Sequence, residues 1–233
     1  MTTNMTEPQQ KALRAAGLLY FLMLLTAPIG LMYVPGEILV QGDATATAAN
    51  IRTSGTLLRI GIASELFHQV IAVFLLLALY RLFRPVNEEH ARLLLILGSL
   101  VSVPIMFVNV LNEIAALILV GGADFLSAFE KTQLDALAYL FLRLHHHGIT
   151  VASIFWGLWL FPFGILVIRS GFIPRFLGIL LFIAGSGYLL SACTSILLPE
   201  YGSIVGQFAM VLEFGEIPII FWLLIAGLRK MRL

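Results

Sequence analysis

Long apolar runs separated by short polar stretches dominate this chain. Six of them stand out: Leu13–Val34, Leu58–Leu82, Ala91–Val120, Leu137–Ile168, Phe172–Leu198 and Ile204–Leu228. A helix needs roughly 20 apolar residues to cross a hydrocarbon layer of about 30 Å, and every run meets that length. A transmembrane barrel would instead show segments of about 10 residues with alternating polarity, a pattern the chain lacks. Backbone polar groups in lipid must pair within their own segment, so each run is expected to be a helix. The pattern therefore predicts an all-α polytopic membrane protein, a six-transmembrane-helix bundle. The first run exceeds the apolar core of a secretion signal, about 7–15 residues, and no small-x-small cleavage site follows it. It reads as a retained helix preceded by a short cytoplasmic tail, residues 1–11, within a single domain of residues 1–233. Two connections are long, Pro35–Leu57 and Gly121–Ala136, while Phe83–His90 and Arg169–Arg175 are short. Within the first, Asp43 is placed to cap a short helix reaching Arg52. Within the second, Thr132-Gln-Leu-Asp135 is a start signal for the fourth spanning helix.

Composition sharpens the class. The chain is 60% hydrophobic and 12% charged, with a mean hydropathy of +0.98, against about 45–50% and about 25% in soluble domains. So few charges cannot cover a water-facing surface, and the natural partner is a lipid bilayer. A net charge of +1 offers no field for polyanions, which argues against nucleic acid. One cysteine, Cys193, excludes an internal disulfide framework. Lysine and arginine set orientation by the positive-inside rule. Ten of the 14 basic residues fall on the side that carries both termini, including Arg81, Arg84, Arg92, Arg169, Arg175, Arg229, Lys230 and Arg232. Arg52, Arg59, Lys131 and Arg143 fall opposite. Both termini are therefore expected in the cytoplasm.

Ionisable side chains within membrane spans are costly and commonly face a bundle interior or a cavity. Here they are Glu65, His68, Glu113, Glu213 and Glu216, with His145, His146 and His147 near a boundary. Counted at about 1.5 Å per residue from the nearest inner arginine, these groups fall at one depth, roughly 20–36 Å from the inner boundary. Asn109 and Asn112 on the third span reach the same level, as do Ser191, Thr194 and Ser195 on the fifth. The inner half of every span is nearly all apolar. Convergence at one depth predicts a polar cavity opening outward, with Glu65, His68, Asn109, Asn112, Glu113, His145, Glu213 and Glu216 as candidate ligand-binding residues.

Glu65-x-x-His68 and Glu213-x-x-Glu216 each put two polar side chains on one helix face. Carboxylate-bridged metal sites in helical bundles use such ligand sets, so Glu65, His68, Glu213 and Glu216 are candidate ligands for a divalent metal. The tract His145-His146-His147 cannot deliver all three rings to one ion, because successive helical residues point about 100° apart. With an unperturbed pKa near 6.5, histidine there is still a candidate proton acceptor. Gly187, Ser191 and Ser195 recur every fourth residue, the spacing of a close helix-packing seam. Pro28, Pro104, Pro162 and Pro218 lie inside spans and are expected to bend them.

Several phrases also carry a family resemblance: Arg59-Ile-Gly-Ile-Ala-Ser-Glu65, Ala78-Leu-Tyr-Arg-Leu-Phe-Arg-Pro-Val-Asn87, Val108-Asn-Val-Leu-Asn-Glu113, Gly122-Ala-Asp124, Arg169-Ser-Gly-Phe-Ile-Pro-Arg-Phe-Leu-Gly178, Leu198-Pro-Glu-Tyr201 and Gly215-Glu216. Together they resemble a family of bacterial multi-pass membrane proteins catalogued as domain of unknown function 4386, from about Arg14 to Leu228. The resemblance implies a bacterial cytoplasmic (inner) membrane protein with a histidine at His145 and acids at Glu65 and Glu216. It also implies a histidine at the position of Trp159, which this chain lacks. It brings no catalytic residues to carry over.

Three functions fit these residues. The first is an uncharacterised type of binding protein whose outward-facing cavity of acids and histidines holds a small ligand, lipid or ion. The second is a membrane-embedded, metal-dependent hydrolase or transferase acting on lipid. The third is a structural accessory subunit.

Overall fold

A computed structural model describes residues 5–228. It is all-α, with no strand among the described residues. Six helices are long and apolar enough to cross a membrane: α1 (Glu7–Ile38), α3 (Gly55–Phe83), α4 (Glu88–Val120), α5 (Lys131–Ser170), α6 (Arg175–Leu197) and α7 (Pro199–Leu228). A shorter helix, α2 (Ala44–Thr53), lies in the long connection after α1. The chain is thus a multi-pass membrane protein by helix length and composition. The expected arginine cluster at Arg229, Lys230 and Arg232 lies outside the described residues.

Local chemistry explains the helix ends. Asp43 caps α2 as expected, its Oδ1 accepting from the Ala46 N–H at 2.8 Å. Asn87 does the same for α4, accepting from the His90 N–H at 2.9 Å. Residues 7–11 are helical rather than part of a tail, because Glu7 and Lys11 form an i,i+4 ion pair at 2.6 Å that extends α1 past its apolar run. Gly171, at φ +72°, closes α5 in a conformation that side chains resist. Three of the four intraspan prolines sit beside departures from α geometry. Pro28 precedes a π-helical turn at Ile29–Tyr33, Pro104 follows one at Ile96–Val101, and Pro218 follows a 3-10 turn at Phe214–Glu216. Pro162 sits inside α5 without one.

The helices are inside-out relative to a soluble protein. On α3, Ile60, Phe67, Val70 and Phe74 are exposed while Glu65 and Gln69 are buried. On α4, Leu100, Phe107, Val108 and Leu111 are exposed while Ser102, Asn109 and Glu113 are buried. An outer face this apolar is stable only against acyl chains, and the polar groups turn inward because lipid offers them no partner.

Contacts divide the fold into two compact units. The first comprises residues 5–22, 71–104 and 150–228; the second comprises Met23–Val70 and Ile105–Ile149. The first is held by close backbone approach and by ring packing. At Gly157, a Cβ would lie 2.8 Å from the Gly185 carbonyl oxygen, and at Gly164 one would lie 2.9 Å from that of Gly178. The α5–α6 contact therefore admits only glycine there. Gly187 packs against Ala209 and Leu212, Ser191 faces Gly206, and Ser195 faces Gly202, which makes the four-residue repeat on α6 a seam for α7. Phe83 meets Phe163 edge-on at 5.7 Å, and Phe163 stacks on Trp159 at 5.5 Å. The core of the second unit gathers Val34, Ile38, Ile51, Leu58, Ile62, Val110 and Leu142.

Gly157→Ala and Gly164→Ala are each expected to lower stability by about 1–3 kcal/mol, the usual cost of overpacking. Thermal melts followed by circular dichroism in detergent should show both variants several degrees below the wild type, with Gly36→Ala unchanged because that position has open space.

Candidate functional site

The second unit brings Glu65 from α3, Glu113 from α4 and His145 from α5 to one point. One donor atom from each lies within 4.8 Å of the others, and all three residues are buried. His145 Nε2 is 3.1 Å from Glu65 Oε2 and 3.7 Å from Glu113 Oε2. One imidazole edge thus serves two carboxylates, yet a ring nitrogen carries at most one proton to donate. The consequence is visible in the hydrogen bonding: buried Glu65 Oε1 and Glu113 Oε2 have no protein partner.

Neighbours hold these side chains in place. Asn109, one turn before Glu113 on the same face of α4, donates from Nδ2 to the His145 carbonyl at 2.9 Å. Asn112 Nδ2 donates to the Asn109 carbonyl and to its Oδ1, each at 3.1 Å, which fixes the Asn109 amide. Asn109 reaches α5 only because residue 148 is glycine; a Cβ there would overlap its side-chain amide. Gly30 plays the same part for Glu65. A Cβ at Gly30 would come 2.6 Å from Glu65 Cγ, and Gly30 lies in the π-helical turn of α1, a distortion often found at functional sites.

A cavity of about 60 Å³ adjoins the cluster, with Glu113, His145 and His146 as its polar lining and Leu31, Ile38 and Leu58 among its apolar walls. The segment after α1 that forms part of these walls is well anchored. Asn50 Nδ2 donates to the Ile38 carbonyl at 3.2 Å, and the Gly42 N–H donates to the Tyr139 hydroxyl at 2.9 Å. Buried Asp135 accepts from Lys131 at 3.0 Å and forms an ion pair with Arg52 of α2.

The other expected residues are placed differently. His68 is three residues beyond Glu65, hence about 60° around the helix, and its Nδ1 lies 3.0 Å from the Thr26 hydroxyl. Glu213 and Glu216 belong to the first unit. There Glu216 Oε1 accepts from the Tyr20 hydroxyl, and Glu216 Oε2 accepts from that of Tyr188 at 3.4 Å; Glu213 is half-buried. The metal set expected from spacing, Glu65, His68, Glu213 and Glu216, is thus not the set gathered. Among the described residues, the close trio of acid and histidine donors is Glu65, Glu113 and His145. Of the histidine tract, His145 is buried while His146 and His147 are exposed, as the 100° step between neighbours requires.

Gly30, Gly148, Tyr20 and Tyr188 escaped the reading of the sequence. A glycine in a span resembles any packing glycine, and a tyrosine resembles any aromatic. Only for Gly30 was there a hint, its place two residues after Pro28.

The donor chemistry suits a divalent cation. Two carboxylates and one imidazole are the ligand types of zinc and of nonhaem iron or manganese sites. Four-coordinate bonds of about 2.0–2.2 Å separate donor atoms by roughly 3.3–3.6 Å, and the His145 distances of 3.1 and 3.7 Å bracket that spacing.

Comparison with known proteins gives a family and no activity. A protein of Archaeoglobus fulgidus described as an uncharacterized protein is 37% identical over 79 residues, 34% of this chain and 46% of that protein's length. The chain thus matches less than half the length of that relative. No solved structure matches. The sequence matches the family described as Domain of unknown function (DUF4386) over residues 15–227, nearly its whole length, and the chain belongs to that family.

Proposed function

We propose that this protein binds a divalent cation among its lipid-embedded helices, with Glu65, Glu113 and His145 as the ligands. The observation that carries the reading is the pair of buried carboxylate oxygens without a hydrogen bond, Glu65 Oε1 and Glu113 Oε2, beside one shared imidazole nitrogen. An unpaired buried carboxylate oxygen is expensive, and two carboxylates ionised together beside one imidazole leave excess negative charge even when the ring is protonated. A bound cation removes both costs at once. By the distribution of lysine and arginine, the termini are cytoplasmic and the site lies toward the outer leaflet of the cytoplasmic membrane.

Metal content of protein purified without chelator tests the reading. The wild type is expected to hold about one ion per chain, and Glu113→Gln and His145→Ala less than about 0.1. Wild-type protein without metal, and unable to take up Zn²⁺, Mn²⁺ or Co²⁺ added to it, overturns the reading. Loss of thermal stability in Glu113→Gln, with no metal in either protein, points instead to an accessory subunit whose polar cluster only fixes packing.

The fit of Gly30 against Glu65 gives a second check. Gly30→Ala pushes the carboxylate aside and is expected to weaken cation affinity by about 10–100-fold, the range seen when groups supporting metal ligands are altered. Gly36→Ala, whose added Cβ would meet nothing within 4 Å, is expected to bind as the wild type does in the same titration.

A further inference from the structure

Two carboxylates contribute two negative charges, a divalent ion cancels both, and a neutral imidazole adds none. The loaded site is then neutral, the state a low-dielectric interior favours. Three protein ligands leave a four-coordinate ion one open position. An anion there would restore a net negative charge in lipid, so the position favours an uncharged donor.

The adjoining cavity says more about that donor. Glu113 and His145 line it directly, and its apolar walls include Leu31, Ile38, Leu58, Leu142 and Ile149. Its volume of about 60 Å³ admits only a few heavy atoms. Leu31 and Ile149 are half-buried and His146 is exposed, so the cavity reaches the protein surface, and the helices that flank it carry exposed apolar side chains there, Met32 on α1 and Leu144 on α5. Its polar groups, Glu113, His145 and His146, are a minority of a lining that is otherwise hydrocarbon, so an occupant that joins one oxygen to an apolar chain covers more of the walls than water does.

Resting on the cation reading above, we propose that the open coordination position takes the oxygen of a neutral, single-chain lipid with a small head, a long-chain primary alcohol or aldehyde. Its first carbons lie along Leu58 and Leu142, and its chain leaves past Leu31 and Ile149 into the bilayer. The lipid is bound through its oxygen lone pair, with no covalent bond made or broken.

Cobalt(II) reports the coordination sphere through its visible absorption, so Co²⁺-loaded protein in detergent micelles is the probe. Dodecanol is expected to shift the cobalt bands saturably, while dodecanoate at pH 8 and ethanol, at equal mole fraction, leave them in place. Leu31→Trp, which narrows the cavity mouth away from the ligands, is expected to keep the cobalt bands and lose the dodecanol response. Cobalt bands indifferent to dodecanol, or equally shifted by dodecanoate or ethanol, overturn the lipid proposal and leave the cation site standing. The absence of cobalt bands altogether removes the cation site and the lipid proposal with it.

Discussion

The second unit is organised around one electrostatic constraint: Glu65 and Glu113 are buried together with a single imidazole edge between them. Lipid cannot solvate a carboxylate, so each oxygen must find its compensation inside the protein. Much of the surrounding structure serves that requirement. Asn109 grips the α5 backbone at His145, Asn112 orients Asn109, and glycine at 30 and 148 lets helices come close enough for these contacts. The first unit resolves the same difficulty by other means. Its half-buried acid, Glu216, receives the hydroxyls of Tyr20 and Tyr188, whereas the Glu65–Glu113 pair keeps two oxygens free of protein donors. Full satisfaction marks a structural carboxylate, and this contrast is what singles out the trio as the place for a ligand.

Much of the architecture was legible in the sequence because hydrocarbon thickness imposes a length on every span. Six apolar runs became six helices, and Asp43 capped α2 as its side-chain chemistry requires. The ends moved where polar residues could stay helical outside the apolar run, as at Glu7 and Lys11. α5 likewise begins at Lys131, close to the Thr132-Gln-Leu-Asp135 signal.

The candidate site was legible in one coordinate out of three. Counting residues from an arginine fixes height along a helix, but neither the rotation of a side chain about that helix nor the identity of its neighbour. Glu65 and His68 share a level and a nominal face, yet one meets His145 and the other Thr26. Residue counts put Glu65, Glu113 and His145 at 16, 21 and 24 residues from the nearest inner arginine, too coarse a ruler to show that the three side chains meet. Tyrosine partners for Glu216 could not be foreseen, because a phenol serves equally well as apolar packing and as a hydrogen-bond donor.

The π-helical turn at Ile29–Tyr33 bears on how this helix tolerates insertion and deletion. A wide turn accommodates one extra residue, and each residue added to a helix rotates everything beyond it by about 100°. Val34 and Ile38 depend on that phase to enter the core, while Gly30 depends on the turn itself to meet Glu65. Removing a single residue from this stretch leaves an apolar span of nearly the same length and hydropathy. Because the wide turn already absorbs the extra residue, the deletion restores regular helix and keeps the far end of α1 in phase, so Val34 and Ile38 still enter the core while the distortion that carries Gly30 to Glu65 is lost.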